Sequence, residues 1–278
     1  HKNCGKSIEN ETETAYLERW NRNGKAVYSQ DLFLDKILSF IRANKDKPFF
    51  LFHPTQLPHG PVAIPAVHPE LANNPELTPI EKEYASMVKL LDDNVGAIMN
   101  ELRRLGLDKN TIVVFSSDHG ETMCSQRTDD PKNSPYSESM NVPFIVRYPD
   151  KIRPRVDNLM LSSPDIMPTL LGLCGLGDSI PAEVQGRNFA PLFFDEKADI
   201  VRPTGALYIQ NLDGEKDENG LVTSYFPSSR GIKTHRYTMA FYIDRNTKQL
   251  KKSLLFDDEK DPYQMNNLSL EENKEVVK

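Results

Sequence analysis

The feature that most constrains this sequence is a pair of apolar runs that flank a polar loop within residues 111–150. The first run, 112–115, consists of β-branched residues followed by phenylalanine, and the second occupies 142–148. Two buried strands around a polar loop are typical of α/β proteins, whose ligands bind just beyond the carboxyl ends of the strands. Asp118 and His119 follow the first run, so the sequence predicts that they belong to a binding or catalytic site.

The segments before this stretch alternate between helical and strand patterns. Apolar residues recur at helical spacing from Ser29 to about Asn44, and the wholly apolar run 49–52 predicts a buried parallel strand. Residues 78–81, Thr-Pro-Ile-Glu, form a capping box that predicts a long helix ending before Gly106. This order predicts an α/β fold with a mostly parallel sheet sandwiched by helices.

The pattern of apolar and charged residues changes near residue 204. Short β-rich runs separated by charged turns predict a small antiparallel sheet at the C-terminal end. We therefore expect two parts, an α/β domain over 1–203 and a smaller β-rich subdomain over 204–278.

Composition narrows the functional classes. The chain has 34 basic and 40 acidic residues, a net charge of −6, which argues against nucleic acid as the main partner. No apolar run approaches the roughly 20 residues needed to span a membrane. Three cysteines without metal-binding spacing leave the redox compartment open. The chain begins at His1 in polar sequence, which suggests a fragment or a processed product.

The 111–150 stretch also resembles a known family. The run FSSDHGE at 115–121, then Lys132 before a Pro-Tyr pair, then VPFIVRYP at 142–149, is similar to the sulfatases of the alkaline-phosphatase superfamily. That family's pattern reads S-D-(N or H)-G, a lysine-bearing loop, Y-E-E-S, and V-P-(L or F)-I. Residues 136–139 read Tyr-Ser-Glu-Ser, so Ser137 stands where the pattern has glutamate.

Further segments extend the resemblance to the C-terminal end. Residues 162–171 are similar to S-x-x-D-I-x-P-T-L-L, and 186–189 to the G-x-S-L turn. Residues 229–237 and 255–262 resemble V-R-T-x-x-Y-K and L-Y-D-L-x-x-D-P. The resemblance implies an alkaline-phosphatase-like fold.

The resemblance implies that Asp118 and His119 ligate a metal, Ca²⁺ in the family. A carboxylate at a strand end suits a hard divalent cation, whereas histidine is a poor calcium ligand, so another divalent metal remains an alternative. The plainer alternative is a turn in which Asp118 caps backbone amides. Gly120, which follows the pair, lets the chain turn away with positive φ if the turn needs it.

The resemblance also implies two sulfate-binding residues. Lys132 matches the lysine whose ammonium neutralises charge on the sulfate oxygens, with Arg127 as the competing cation. His59, in Pro-His-Gly-Pro, matches the histidine that hydrogen-bonds the sulfate and protonates the departing alkoxide. A solvated lysine and a loop histidine without a role are the alternatives. His235 and Arg236 could reach the substrate pocket, or could belong to a solvated hairpin.

One expected motif is missing. Sulfatases form their formylglycine nucleophile from C-x-P-S-R or S-x-P-S-R, and neither the run that starts at Cys4 nor the one at Cys124 fits. The early Asp-Asp metal pair is also absent. The resemblance thus covers the later half to two-thirds of a sulfatase, and it implies that the nucleophile lies outside this chain.

The activity implied for the intact protein is hydrolysis of a sulfate ester of a small molecule or carbohydrate. A phosphonate or phosphate ester hydrolase of the same superfamily and a non-catalytic binding domain remain alternatives. The family implies a periplasmic, secreted or lysosomal-type compartment. The protein partners expected for this chain are its own missing N-terminal segment or a second copy of the chain.

Overall fold

The computed structural model describes residues 28–60, 62, 64–123, 125–127, 132–210, 216–221, 223 and 228–278. The chain divides into two compact units, His1–Thr111 and Ile112–Lys278. The boundary predicted between an α/β domain (1–203) and a β-rich subdomain (204–278) stays a prediction.

The first unit is helical in its described part, with α1 (Ser29–Asn44), α2 (Pro69–Ala72) and α3 (Pro79–Arg104). The predicted capping box starts α3: the Thr78 N–H donates to Glu81 Oε2 at 2.8 Å, and the Glu81 N–H donates to Thr78 Oγ1 at 3.4 Å. Gly106, with φ +71°, follows the last turn in the left-handed conformation that ends many helices. The sequence signals for α3 are therefore confirmed at both ends.

A buried carboxylate joins α1 to α3. Glu101 on α3 accepts hydrogen bonds from Arg104 Nη2 at 2.6 Å and from Arg42 Nε on α1 at 2.7 Å. The bonds from Arg104 and Arg42 favour the charged carboxylate and lower the pKa of Glu101 to about 2. The helices bury apolar residues around it: Ile37, Ile41, Met87 and Leu102.

The apolar run 49–52 does not form the predicted parallel strand. It pairs with no other strand among the described residues, and Phe50 and Phe52 are 82% and 75% exposed. A strand requires neighbouring backbone to satisfy its N–H and C=O groups, and the described residues place none beside this run. The strand pairs within the described residues are all antiparallel.

The second unit contains the 111–150 stretch except for Thr111, which ends the first unit. Its two apolar runs form β1 (Val113–Ser116) and β2 (Phe144–Arg147), which pair antiparallel with Val113 opposite Arg147. The loop between them contains the short helix α4 (Ser137–Met140). The remaining helices are α5 (Ser163–Leu173), α6 (Ala190–Phe194) and α7 (Lys274–Val277).

A four-stranded antiparallel sheet follows α6, which confirms the small C-terminal sheet expected from the sequence. Its strands lie in chain order: β3 (Gly205–Gln210), β4 (Ser228–Thr234), β5 (Tyr237–Ile243) and β6 (Leu250–Asp257). Ala240 and Leu254 are direct cross-strand partners on one face. With Phe256 they form a buried cluster that also contains Tyr136, from the loop between β1 and β2. The sheet therefore anchors that loop.

The segments at 162–171 and 186–189 pack against each other. Asp165 Oδ2 accepts from Ser162 Oγ at 2.8 Å, and its Oδ1 accepts from the Arg187 N–H at 2.8 Å. A Cβ at Gly186 would lie 1.8 Å from the Pro164 carbonyl oxygen, so only glycine fits. These contacts give a structural reason for the residues that carry the resemblance in both segments.

Asp157 bonds two arginines and provides a pH-dependent element of stability. Arg202 Nη1 donates to Asp157 Oδ1 at 2.6 Å and Arg155 Nε donates to Oδ2 at 3.2 Å. Arg155 also donates to the Leu192 and Phe193 carbonyls of α6. The Arg202 bond is the main cause that lowers the pKa of Asp157 from 3.8 to about 2.

We expect Asp157→Asn to destabilise the full-length protein by about 1–2 kcal/mol at pH 7. The folded-state pKa is depressed, so this contribution is present above the unfolded pKa of 3.8 and is lost as pH falls towards 2. Urea denaturation of variant and wild type at several pH values measures it: the two midpoints should converge on acidification. The exposed Asp178→Asn is the matched control. A destabilisation that stays constant down to pH 2 would contradict the assignment.

Candidate active site

The carboxylate of Asp118 lies just after β1, with its side chain 84% exposed. Its Oδ1 accepts hydrogen bonds from the His119 N–H at 3.0 Å and from Ser117 Oγ at 3.3 Å. Burial acts to raise the pKa of Asp118, but the nearby His119, two backbone N–H groups and the Ser117 hydroxyl outweigh it, so the pKa is lowered. The turn uses one carboxylate oxygen, and the charged group remains accessible to a cation.

His119 is oriented towards the same carboxylate. Its Nδ1 lies 2.8 Å from the Gly120 carbonyl oxygen, which can only accept, so Nδ1 carries the proton. A neutral ring then has its lone pair on Nε2, which lies 3.5 Å from Asp118 Oδ2. A backbone carbonyl that fixes the tautomer in this way is common for metal-binding histidines.

The pair fits a divalent metal by donor type. Within the described residues no group of three or more His, Cys, Asp or Glu side chains is placed to hold an ion. Asp118 supplies the oxygen that hard cations prefer, and His119 supplies a nitrogen that suits zinc or other transition metals better than calcium. The two residues thus form part of a candidate metal site without selecting Ca²⁺.

Gly120 is required for a close approach rather than for positive φ. It does not adopt the left-handed conformation, unlike Gly106 and Gly175. Its N–H donates to the Ser139 carbonyl at 2.7 Å, and a Cβ would lie 2.0 Å from the Glu138 carbonyl oxygen. The segment after Asp118 and His119 is therefore packed directly on α4.

We expect Gly120→Ala to disrupt the site by pushing this segment away from α4. Overpacking of this kind typically costs about 1–3 kcal/mol. The full-length variant should show a lower thermal midpoint and weaker metal binding, measured by calorimetry and by titration with Ca²⁺ and Zn²⁺. Gly177→Ala is the control, because its Cβ would meet nothing closer than 3.4 Å. Metal affinity equal to wild type would show that the contact does not position the site.

Lys132 lies in the same loop and is half-buried. Its carbonyl accepts a hydrogen bond from Ser139 Oγ. Ser139, 2% exposed, therefore binds the backbones of both Gly120 and Lys132. These contacts hold the backbone of Lys132 and that of Gly120, which directly follows Asp118 and His119, against the same short helix, α4. Arg127 ends a short 3₁₀ turn, Ser125–Arg127, and its side chain lies outside the described part.

His59 belongs to the first unit and lies in the loop after residues 49–52. The residue is exposed, and its Nδ1 donates to the Gly60 carbonyl at 2.5 Å. Leu57, 7% exposed, anchors the loop. His53 packs edge-on against Phe33 with ring centroids 6.3 Å apart, and burial lowers its pKa, as suits a structural histidine.

The turn between β4 and β5 contains the other two candidates. His235 is exposed there. Arg236 donates to both oxygens of Asp257, at 3.1 and 2.8 Å, and this pairing raises the pKa of Arg236. Arg236 therefore serves an ion pair within the sheet, whereas a substrate-binding role for His235 stays a prediction. Cys4 and Cys124 lie outside the described residues.

The sequence analysis missed three residues on the sheet side of the site loop: Lys233, Asp258 and Gln264. Lys233 and Gln264 bond to Ser137 in the loop, and Asp258 bonds to both of them. A signal for the first two existed, because Lys233 and Asp258 fall within the C-terminal segments 229–237 and 255–262 that carry the resemblance. Gln264 lies outside every motif. Among the described helices, none combines the length and apolar character required to cross a membrane.

The sequence of this chain is similar to those of known sulfatases. Residues 2–176 match the sulfatase family profile, and residues 130–278 match that of the C-terminal part of N-sulphoglucosamine sulphohydrolase. An endo-4-O-sulfatase of Bacteroides thetaiotaomicron is 61% identical over 266 residues, covering 87% of this chain and 52% of that protein. An ulvan-active sulfatase of Formosa agariphila is 35% identical over 196 residues, covering 66% of this chain and 34% of that protein.

A solved structure supports the same relationship. A Bacteroides thetaiotaomicron protein, described in connection with the metabolism of multiple glycosaminoglycans, has a TM-score of 0.78 and 61% identity, over 88% of this chain and 55% of that one. The likeness confirms the predicted class, an α/β protein with an alkaline-phosphatase-like fold. The chain belongs to the sulfatase family. It spans about half the length of the curated relatives it matches.

Proposed function

We propose that the full-length protein hydrolyses sulfate esters on a sulfated carbohydrate. The observation that carries this proposal is the exposed, charged Asp118 beside His119 at the end of β1, in a chain 61% identical to an endo-4-O-sulfatase. The resemblance gives this pair of residue types a metal-binding role at this point of the sulfatase pattern, and the geometry is compatible with that role.

The chain's own residues would divide the chemistry as follows. Asp118 and His119 would hold a divalent metal, and the metal would supply positive charge that polarises the sulfate group. Lys132 would neutralise charge that develops on the sulfate oxygens. His59 would donate a proton to the alcohol oxygen as the sulfur–oxygen bond breaks, so that the product leaves as a neutral alcohol.

The nucleophile is assigned to a part of the full-length protein outside these 278 residues. We propose a formylglycine there, because the sulfatase family uses this group and no run in the chain matches its precursor motif. Calcium is the metal we propose first, with the His119 ligand as the reason to test Zn²⁺ beside it. We also propose a periplasmic or secreted location, as implied by the family.

The substrate class follows from the relatives. The Bacteroides thetaiotaomicron relative is named an endo-4-O-sulfatase, and a structure with 61% identity is described in connection with multiple glycosaminoglycans. We therefore propose 4-O-sulfate groups within glycosaminoglycan chains as the substrate.

A substrate panel tests the proposal. The full-length protein should release sulfate from 4-O-sulfated oligosaccharides faster than from 6-O-sulfated ones, and chelation should abolish the activity. Free sulfate is measured by ion chromatography. A preference for phosphate over sulfate esters would overturn the reaction assigned here, and sulfate release from 6-O positions alone would overturn the substrate class.

A further inference from the structure

Ser137 is bonded to the C-terminal sheet region through both its backbone and its side chain. It is the first residue of α4, and an N–H at that position has no partner within the helix. This N–H donates to Gln264 Oε1 at 2.7 Å, since the preceding Tyr136 provides no side-chain cap. The Ser137 hydroxyl accepts from Lys233 Nζ at 3.3 Å. Two side chains from distant parts of the sequence thus fix the start of α4.

Those two side chains belong to a polar cluster, which we define as Lys233, Thr238, Asp258 and Gln264. Lys233 Nζ lies 2.6 Å from Asp258 Oδ2, and Gln264 Nε2 donates to Asp258 Oδ1 at 2.6 Å and to Thr238 Oγ1 at 3.0 Å. The side chains of Lys233 and Asp258 are 17% and 10% exposed. Thr238 and Gln264 are 1% and 3% exposed, so the cluster is held away from solvent.

The backbone of Gln264 indicates that the cluster determines its conformation. Its φ of +54° lies in the left-handed region that residues with a side chain rarely adopt. Such a conformation persists where surrounding contacts fix it. Three side-chain bonds, to Ser137, Thr238 and Asp258, hold Gln264 in place.

Ser139 transmits this anchoring to the candidate active site. It lies two residues after Ser137 in the same helix, and it binds the Lys132 carbonyl through Oγ and the Gly120 N–H through its own carbonyl. Gly120 directly follows the metal-ligand candidates Asp118 and His119. Hydrogen bonds thus join the sheet region to Ser137, and Ser139 in the same helix is bonded to the backbones of Gly120 and Lys132. The helix α4 therefore links the sheet region to the two segments that contain the candidate site residues.

A contribution to stability is a poor explanation for the presence of a buried Lys–Asp pair, because apolar residues of similar volume often stabilise a protein as much. An ion pair with fixed hydrogen bonds instead specifies one geometry. The family pattern has glutamate where this chain has Ser137, and in this structure the Ser137 hydroxyl accepts a hydrogen bond from the cationic Lys233.

We propose that Lys233, with Asp258 and Gln264, is a positioning residue for sulfate-ester hydrolysis. It fixes Ser137 and, through Ser139, sets the positions of Lys132 and of the Gly120 segment. The kinetic consequence rests on the function proposed above, whereas the structural consequence does not.

The central variant is Lys233→Met in the full-length protein, which keeps the length of the side chain and removes its charge and donors. We expect kcat to fall about 10–100-fold, as is typical when a residue that orients the residues of a site is removed, with a smaller change in KM. Lys233→Arg should restore most of the rate. Lys251→Met is the matched control, because Lys251 pairs with Asp244 on the same sheet and is 62% exposed.

Hydrogen–deuterium exchange separates positioning from general stability. In Lys233→Met, amide exchange should rise in peptides covering 118–122 and 132–140, and much less in α5 or α3. Lys251→Met should leave both regions unchanged. A uniform rise across the second unit, or a normal kcat per folded molecule, would show that Lys233 only stabilises the sheet and would overturn the proposal.

Ser137→Ala keeps the experiment decisive if Lys233→Met does not fold. This variant removes only the hydroxyl and leaves the Lys233–Asp258 pair intact, so no charge is buried alone. It should raise exchange at 132–140 to a smaller extent, and unchanged exchange would overturn the proposal. If the wild-type protein releases no sulfate, the proposed function fails, but the exchange measurements still decide whether the cluster positions the loop.

Discussion

Asp118→Asn is expected to lower sulfate-ester hydrolysis by about 10³-fold or more, since a bound metal supplies several kcal/mol of transition-state stabilisation. The substitution is nearly isosteric. The new side chain keeps an oxygen that can accept from the His119 N–H, so the turn after β1 should be retained. It removes the negative charge, which is the property a divalent cation requires. Because the side chain is 84% exposed, the fold should be unaffected.

The measurement pairs activity with metal content. Elemental analysis of the purified full-length variant should show a loss of bound divalent metal, and its thermal midpoint without metal should match that of wild type. Asp150→Asn, the same change at an exposed turn residue after β2, should alter neither quantity. An Asp118→Asn enzyme with normal metal content and rate would limit Asp118 to its role in the turn.

Local signals in the sequence predicted the local structure well. The Thr78–Glu81 pair and Gly106 lie within one or two turns of the ends of α3, and they need no tertiary partner. The helical spacing from Ser29 to about Asn44 likewise matches α1, whose N-cap position is occupied by Tyr28. The short β-rich runs after residue 204 also predicted a sheet, and its strands are neighbours in sequence.

Pairing over longer distances could not be predicted from such signals. The run 49–52 has the composition of a buried strand, yet composition does not supply the neighbouring strand that would bond it. The partners of Ser137 lie 96 and 127 residues away, at Lys233 and Gln264. Nothing in a single sequence identifies such contacts.

In the candidate site, too, local sequence signals could be interpreted, whereas long-range contacts could not. Asp118 and His119 could be predicted because motif and strand end coincide, and the resemblance added roles for Lys132 and His59. The expectation that Gly120 supplies positive φ was wrong. Glycine is required there because a side chain would clash with the Glu138 carbonyl of α4, a contact that the local sequence does not reveal. The roles of all four polar residues remain predictions, which substitution can test.

His59→Ala is expected to slow hydrolysis most for substrates with poor leaving groups. A general acid typically contributes about 10²–10⁴-fold, and its proton matters least when the departing oxygen is already stable as an anion. The variant should therefore lose about that factor with a sugar sulfate and far less with nitrophenyl sulfate. Because His59 is exposed, a large effect of the substitution on folding is not expected.

The comparison of leaving groups distinguishes proton transfer from simple sulfate binding. In the imidazolium form both ring nitrogens carry protons, so Nδ1 can hold the Gly60 carbonyl while Nε2 supplies the transferable proton. If His59 only binds the sulfate, both substrates share the lost contact, and the rates should fall by equal factors. His53→Asn is the control: its ring packs on Phe33, so stability should fall without any change in the ratio of the two rates. An equal loss for both substrates in His59→Ala would therefore remove the general-acid role while leaving a sulfate-binding role in place.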